Sequence, residues 1–321
     1  MNRLKLSYED IVNVRFYTGW NICNFSCEYC DDNHSKINPL WNVDNYNKII
    51  SNLKKLPCKI NIRLGVEGEF FLSDELIYGA SELSNAENVV SVNLITNLSL
   101  SIDEYHRKLR SFDMRKVAIV ATLHPTQVKD QNDWMATAKY MNDNCDFFVC
   151  LVAYPPIVSR LSELKLHLEK TGFSVFIHSF IGIYNDKRYP QSYTNEEREL
   201  FRKLFYSRHD YEFFVALKKP GLCNAGFKSF YVSMDGTVYS CGMGKPSMTR
   251  LGNLAESTRI DLFDCPRPCI NETCLCHTEN NNTVCFSQYY VRKGINQQNY
   301  SYRYKDLAEI SPEFDEWKIL Y

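Results

Sequence analysis

Six short apolar runs recur along the first two thirds of the chain, and stretches with helical periodicity lie between them. Runs of this length that are rich in Val, Ile and Phe are typical of buried strands. The predicted strands are Val14–Tyr17, Ile60–Leu64, Val90–Ile95, Val117–Ala121, Phe147–Ala153 and Ser174–Ser179. Because strands that are joined through helices form a parallel sheet with right-handed crossovers, this alternation restricts the fold more than any other feature.

Capping residues indicate where several of the intervening helices begin and end. Asp44 is the predicted N-cap of the first helix, whose apolar residues recur at spacings of three and four. Ser101 and Thr194 each stand three residues before a glutamate, which is the pattern of a capping box. Gly172 is expected directly after the end of the fifth helix, since glycine adopts the left-handed conformation that ends many helices.

Six units are fewer than the eight of a closed barrel, so the predicted fold is α/β, a partial (β/α)6 TIM-like barrel that is open on one side. In such sheets ligands bind at the carboxyl ends of the strands. Farther along, Phe227–Ser233 and Thr237–Cys241 flank the turn sequence Asp235-Gly236, which predicts a β-hairpin. We therefore divide the chain into a barrel (1–214), a small cysteine-rich hairpin and loop module (215–290) and a C-terminal tail (291–321).

The chain has thirteen cysteines, and ten of them fall into two groups, at 23–30 and 223–285. A small secreted domain would use so many cysteines in disulfides, but this chain has 321 residues and no apolar signal segment at its start. Clustered cysteines in a reducing cytosol more often bind metal. We therefore expect a cytoplasmic metal-binding protein, with disulfides as the alternative.

Charge and hydropathy argue against two classes of partner. The 37 basic residues are balanced by 38 acidic ones, so no strong positive field is available to bind nucleic acid. The longest apolar run, Phe147–Val158, contains two prolines and is shorter than the roughly 20 residues that span a bilayer. We expect neither a nucleic acid nor a membrane partner.

The first cysteine group reads Cys23-x3-Cys27-x2-Cys30 and follows the first predicted strand. Three thiolates within eight residues can bind three irons of a cubane iron–sulfur cluster, which normally has four cysteine ligands. The remaining iron is then open to a small-molecule ligand, by the same logic that separates catalytic from structural zinc sites. A zinc site completed by an acidic residue or histidine of the segment 31–34 is the alternative.

This spacing, together with Tyr29 directly before the third cysteine, resembles the signature of the radical S-adenosylmethionine (SAM) superfamily. The resemblance implies that Cys23, Cys27 and Cys30 are the catalytic residues and hold a [4Fe–4S] cluster whose open iron binds SAM. It also implies that SAM is cleaved reductively to a 5′-deoxyadenosyl radical, which abstracts a hydrogen atom from the substrate. The protein then orients the reactants and excludes water and oxygen.

The resemblance extends to further residues, which with Tyr29 form the predicted SAM-binding set. The sequence Glu-Gly-Glu-Phe at 67–70 matches the Gly-Glu of the family's usual Gly-Gly-Glu-Pro and departs from it on either side. Gly68 lets backbone approach a ligand closely, and the Glu69 carboxylate suits the SAM ammonium. Asn97 after the third strand and His124 after the fourth are expected to contact SAM or substrate. An ordinary turn is the alternative for Gly68, Glu69 and Asn97. For His124 the alternative is a histidine that only forms local hydrogen bonds.

The second cysteine group begins with Cys223-x12-Gly236-x4-Cys241, which is similar to the opening of the SPASM and Twitch extensions of radical SAM enzymes. The later spacing, C-x3-C-x4-C-x-C, departs from the SPASM pattern, so one or two auxiliary [4Fe–4S] clusters are possible; we favour one. A zinc ribbon is the alternative. The predicted ligands, in order of preference, are Cys223 and Cys241, then Cys269, Cys274 and Cys276, and finally Cys265 and Cys285.

Family members with such modules act on peptides or on sugars. The resemblance therefore implies an oxidoreductase or epimerase that oxidises, epimerises or crosslinks a saccharide, another small molecule or a peptide. A reductase such as flavodoxin or ferredoxin would supply the electron. Only about a dozen residues precede the first strand, which favours a small molecule over a peptide. An RNA-modifying radical SAM enzyme and a non-enzymatic zinc-stabilised binding protein are the two rival hypotheses.

Overall fold

Six strands alternate with five helices in the first part of the computed structural model, which describes residues 11–30, 38–65, 67–205, 211–212, 215–217, 222–223, 225–242, 249–265, 267–269 and 271. All six predicted strands are confirmed, with bounds that differ by three residues or fewer. The elements are β1 (Ile11–Phe16), α1 (Val43–Leu53), β2 (Lys59–Leu64), α2 (Asp74–Ser84), β3 (Val89–Thr96), α3 (Ile102–Leu109), β4 (Val117–Leu123), α4 (Gln131–Asn144), β5 (Asp146–Ala153), α5 (Leu161–Lys170) and β6 (Ser174–Ser179).

A small hairpin, a sixth helix and further short strands follow. They are β7 (Gly182–Tyr184), β8 (Lys187–Tyr189), α6 (Asn195–Leu204), β9 (Leu222–Cys223), β10 (Ser229–Val232), β11 (Thr237–Tyr239), β12 (Arg250–Asn253) and β13 (Arg267–Pro268). Strands β10 and β11 are antiparallel, which confirms the hairpin predicted around Asp235-Gly236. The β7–β8 hairpin, which forms a separate two-stranded sheet, was not predicted.

Nine strands form one sheet in the order β12-β11-β10-β1-β2-β3-β4-β5-β6. Strands β1 to β6 are all parallel, and β10 extends the sheet parallel to β1. This topology confirms the predicted α/β fold with six β/α units, and within the described residues the sheet ends at β12 and β6 without closing. Strands from both sides of the predicted boundary at 214/215 share the sheet, while the division into domains stays a prediction.

One face of the sheet packs against the helices in a large apolar core. The apolar residues of helix α1 recur at spacings of three and four, so they lie on one buried side: Tyr46, Ile49, Ile50 and Leu53. The Tyr46 ring stacks on Phe16 of β1, with ring centroids 5.7 Å apart. The prediction of Asp44 as its N-cap is wrong, because the helix begins earlier and the Asn42 side chain accepts from the Asn45 N–H (3.0 Å).

The other predicted helix ends are confirmed. Ser101 and Thr194 both form complete capping boxes at the starts of α3 and α6. Gly172 directly follows the C-cap residue of α5 and has a φ of +93°. Within the described part of the chain, no helix combines the length and apolar character that a membrane span requires.

The carboxyl ends of the six parallel strands lie along one edge of the sheet, where ligands bind in folds of this kind. The cysteine loop follows β1, and the Gly68-Glu69 turn follows β2. The first residue after each of the next three strands bears a polar or aromatic side chain. These residues are Asn97 after β3, His124 after β4 and Tyr154 after β5.

Candidate functional site

The three cysteines of the first group lie on the short loop that follows β1. The Cys30 N–H donates to the Cys27 carbonyl (3.1 Å), which closes a tight turn. The Phe25 N–H donates to the Cys23 sulfur (3.4 Å). Cys23 and Cys27 are half-buried and Cys30 is exposed, and none of the three forms a disulfide. The loop therefore presents three sulfur atoms at the edge of the sheet.

The surroundings of Cys23 and Cys27 disfavour the negatively charged form of these two thiols unless a cation is present. Burial raises the pKa of the Cys23 thiol, and burial is also the main reason that the pKa of Cys27 rises to about 12. The charges of Cys23 and Cys30 raise the pKa of Cys27 further, so the three groups interact. Bound iron would compensate this, because metal ligands are deprotonated.

Across the described ranges, no three His, Cys, Asp or Glu side chains converge as ligands of a single metal ion. A cubane cluster takes one thiolate on each iron, so its ligands need not converge on one point. The chemistry of the three thiols on the loop fits such a cluster, and their assignment as ligands stays a prediction.

Gly68 brings the segment after β2 against the cysteine loop. Its φ is +62°, a region that glycine adopts readily. A Cβ at this position would lie 2.5 Å from the Ile22 carbonyl oxygen and 2.8 Å from the Asn21 carbonyl carbon. The neighbouring Glu69 N–H donates to the same Ile22 oxygen (2.7 Å). Glycine is therefore required here by a backbone contact that fixes the loop, whereas a contact with SAM stays a prediction.

The Glu69 carboxylate is fully buried and connects the ends of β2 and β3. It accepts hydrogen bonds from the Asn97 N–H (2.6 Å), the Thr96 hydroxyl (2.7 Å) and the Phe71 N–H (3.1 Å). Burial raises its pKa to about 7, and these three donors act in the opposite direction. Through these contacts Glu69 holds the ends of β2 and β3 together, and the predicted bond to the SAM ammonium stays a prediction.

Asn97 connects β3 to the first cysteine. Its side-chain N–H group donates to the Asn24 Oδ1 (2.9 Å) and lies 3.6 Å from the Cys23 sulfur. The Trp134 indole of α4 donates to the Asn97 carbonyl (3.1 Å), which holds the residue in place. The structure therefore brings two of the predicted site residues, Asn97 and Cys23, into contact.

His124 brings two more residues of the cysteine loop together. Its Nδ1 is hydrogen-bonded to the Tyr29 hydroxyl and lies 3.3 Å from the Cys27 sulfur. The Tyr29 and His124 rings stack at 5.8 Å. Burial is the main cause of a raised pKa for Tyr29, and the nearby Cys27 also raises it. All five predicted SAM-binding residues therefore lie in or beside the cysteine loop.

Four aromatic rings, which we call the aromatic wall, continue from the cysteine loop: Tyr29, Tyr154, Phe180 and Tyr184. Tyr154 is central, with its ring centroid 4.6 Å from Tyr29, 5.5 Å from Phe180 and 5.2 Å from Tyr184. Its hydroxyl donates to the Glu28 carboxylate (3.1 Å). Sequence reasoning missed Tyr154, Phe180 and Glu28, although Tyr154 and Phe180 directly follow β5 and β6 and their positions could have identified them.

The second cysteine group is described only in part. Cys223 and Cys241 are buried and form no disulfide, Cys269 is half-buried and Cys265 is exposed. Strand β9 pairs with β13 so that Cys223 stands opposite Arg267, between Cys265 and Cys269 in sequence. Cys274, Cys276 and Cys285 lie outside the described residues. The auxiliary cluster and its ligands therefore stay predictions.

Comparison with known proteins identifies the fold. No family model and no curated protein matches the chain. Among solved structures, anSMEcpe with bound AdoMet matches with a TM-score of 0.57 and 14% identity, over 95% of this chain and 98% of that one. The structure of anSMEcpe with bound AdoMet and the Kp18Cys peptide matches with a TM-score of 0.57 and 15% identity, over 97% and 100%. The chain thus has the fold of AdoMet-bound anSMEcpe along nearly its whole length.

Proposed function

We propose that the chain is a radical SAM enzyme in which Cys23, Cys27 and Cys30 hold a [4Fe–4S] cluster. The observation that carries the proposal is the position of this cysteine motif, on the loop after β1 in a fold shared with AdoMet-bound anSMEcpe. When bound, the cluster and SAM supply the electron transfer that cleaves SAM and the 5′-deoxyadenosyl radical that abstracts a hydrogen atom.

The residues around the loop position the cysteines and tune their charge. Asn97 faces the Cys23 sulfur and His124 faces the Cys27 sulfur. Hydrogen bonds donated to cluster sulfurs favour reduction of the cluster, which the Asn97 amide supplies and which His124 supplies in the tautomer that carries a proton on Nδ1. The aromatic wall beside them excludes water from the place where a radical would form.

The proposed substrate is a saccharide, another small molecule or a peptide, and the outcome is oxidation, epimerisation or crosslinking. A complex of anSMEcpe with the Kp18Cys peptide supports the peptide class. We further propose one auxiliary cluster held by Cys223, Cys241 and cysteines of 265–285, and a reductase such as flavodoxin or ferredoxin as electron donor. None of the ten cysteines in the described residues forms a disulfide, which suits a reducing cytoplasm.

The test is anaerobic incubation of the reconstituted protein with SAM and a strong reductant. We expect 5′-deoxyadenosine from the wild type and from Cys58→Ser, a control at a half-buried cysteine outside both groups. Cys27→Ser should form none, because the cluster loses a ligand. Cys241→Ser should lower the iron content while 5′-deoxyadenosine still forms. Zinc without iron or sulfide in the purified wild type, or no turnover after full reconstitution, would contradict the proposal.

A further inference from the structure

The face of the sheet turned away from the helices is polar along β1, β2 and β3. Alternate residues of these strands join the helix-facing core, so the residues between them point to the opposite face. Asn13, Asn61 and Asn93 form a ladder on this face. The Asn61 side-chain amide donates to Asn13 (2.9 Å), and that of Asn93 donates to Asn61 (2.6 Å). Polar groups therefore continue across three neighbouring strands.

The same face is apolar along β4, β5 and β6. Val120, Phe148, Cys150 and Phe176 form a cluster that is separate from the helix-facing core. All four residues are buried, with 4–8% exposure. The face turned away from the helices therefore has a polar half and an apolar half.

Two arginines stand side by side at the carboxyl end of the polar half. Arg15 of β1 is the register partner of Arg63 of β2, so their Cα atoms are about 4.8 Å apart, the usual strand spacing. Arg63 is 6% exposed. The Arg15 Nε is buried and has no hydrogen-bond partner among the residues described. Because guanidinium groups are always charged, two of them on neighbouring strands favour an anion close by.

Two carboxylates lie near the pair of arginines. Glu67 is buried, and its charge acts on Tyr231. Burial and then the Glu67 charge raise the pKa of Tyr231, the register partner of Arg15, while the Arg15 charge lowers it. Asp235 also faces Tyr231 but bonds within its own turn, to a backbone N–H (2.9 Å) and a hydroxyl (3.0 Å) of Thr237. The charges of Arg15 and Glu67 therefore both act on Tyr231, next to the pair of arginines.

We infer that Arg15 and Arg63 bind an anionic group of the substrate, a carboxylate or a phosphate. The inference rests on the proposed function, because both residues are at the edge of the sheet that also bears the cysteine loop. Planar guanidinium groups bind such oxyanions through paired hydrogen bonds. The apolar cluster across the same face suits the uncharged body of the ligand. The substrate group bound on this face therefore combines an oxyanion with an apolar or ring-shaped body.

Calorimetric titration of the anaerobically reconstituted full chain tests the site. Inorganic phosphate and, separately, acetate are titrated at constant ionic strength, with and without saturating SAM. We expect Arg15→Gln and Arg63→Gln each to weaken binding of the better anion about tenfold or more. Arg115→Gln is the matched control, since Arg115 is exposed and pairs with Asp113 (2.8 Å) at the surface. Its affinity should equal that of the wild type.

Absence of anion binding by the wild type, or equal affinity in all four proteins, overturns the inference. If SAM abolishes anion binding, the site belongs to the SAM carboxylate and the substrate assignment falls. Should Arg15→Gln fail to fold, Arg15→Lys replaces it, because lysine keeps the charge but lacks the planar guanidinium group. Anion binding by Arg15→Lys as tight as that by the wild type overturns the inference. Formation of 5′-deoxyadenosine without substrate, measured alongside, tests the proposed function separately.

Discussion

Replacing Gly68 with alanine should move the cysteine loop and impair cluster binding. The added Cβ would meet three backbone atoms of residues 20–22 at 2.5–2.9 Å, and backbone atoms cannot turn aside as the end of a flexible side chain can. Alanine in the left-handed region costs about 1–2 kcal/mol, and overpacking adds roughly 1–3 kcal/mol. We therefore expect Gly68→Ala to disfavour the present loop position by roughly 2–5 kcal/mol. Moving the loop away from β2 would relieve this strain.

Gly172→Ala separates the backbone effect from the contact. Gly172 also has a positive φ, of +93°, but no atom lies within 4 Å of a Cβ built there. We expect Gly172→Ala to lose only about 1–2 kcal/mol of stability and to keep its iron. The assay is iron and sulfide per chain after anaerobic reconstitution, with the free energy of unfolding measured in urea. Iron content and 5′-deoxyadenosine formation at wild-type levels in Gly68→Ala would refute the reasoning.

Three further predictions concern residues around the site and one helix. The pKa of Glu69 rises from 4.5 to about 7 on folding, so stability should fall by on the order of 3 kcal/mol as the pH rises through this range; urea unfolding of Glu69→Gln should show a flatter pH dependence, and equal curves would contradict this. His124→Phe removes the contact with the Cys27 sulfur and should lower the cluster potential by about 60 mV in a redox titration; an unchanged potential would exclude the contact. Thr194→Ala removes the capping box of α6 and should lower the free energy of unfolding by about 1 kcal/mol, and a neutral result would mean that water replaces the cap.

Much of the fold could be predicted because its signals are local. Strand β6 has the bounds that its apolar run predicts, and the capping boxes at Ser101 and Thr194 form as their spacing indicates. The error at α1 has a physical reason, because Asn42 and Asp44 are both good N-caps and the sequence does not decide which turn is first. Strands β7 and β8 were missed because each has only three residues.

In the site, too, the local features could be predicted from the sequence and the long-range contacts could not. The cysteine motif is read from eight consecutive residues, but the contact of Glu28 with Tyr154 joins residues 126 positions apart, which only the folded sheet brings together. The polar face that includes Arg15 and Arg63 did leave a signal. Polar residues alternate with apolar ones in β1 and β2, whereas β5 is apolar at nearly every position. Without the register of the strands, that alternation does not place the two arginines side by side.

The central claim is that three cysteine thiolates leave one iron open for SAM. Electron paramagnetic resonance of the reduced, reconstituted protein with SAM labelled with ¹⁵N at its amino group tests it directly. We predict a hyperfine coupling between the label and the cluster in the wild type and in Gly172→Ala. The account would be contradicted if the spectrum of the reduced cluster did not change when SAM was added, or if the 23–30 loop bound zinc alone.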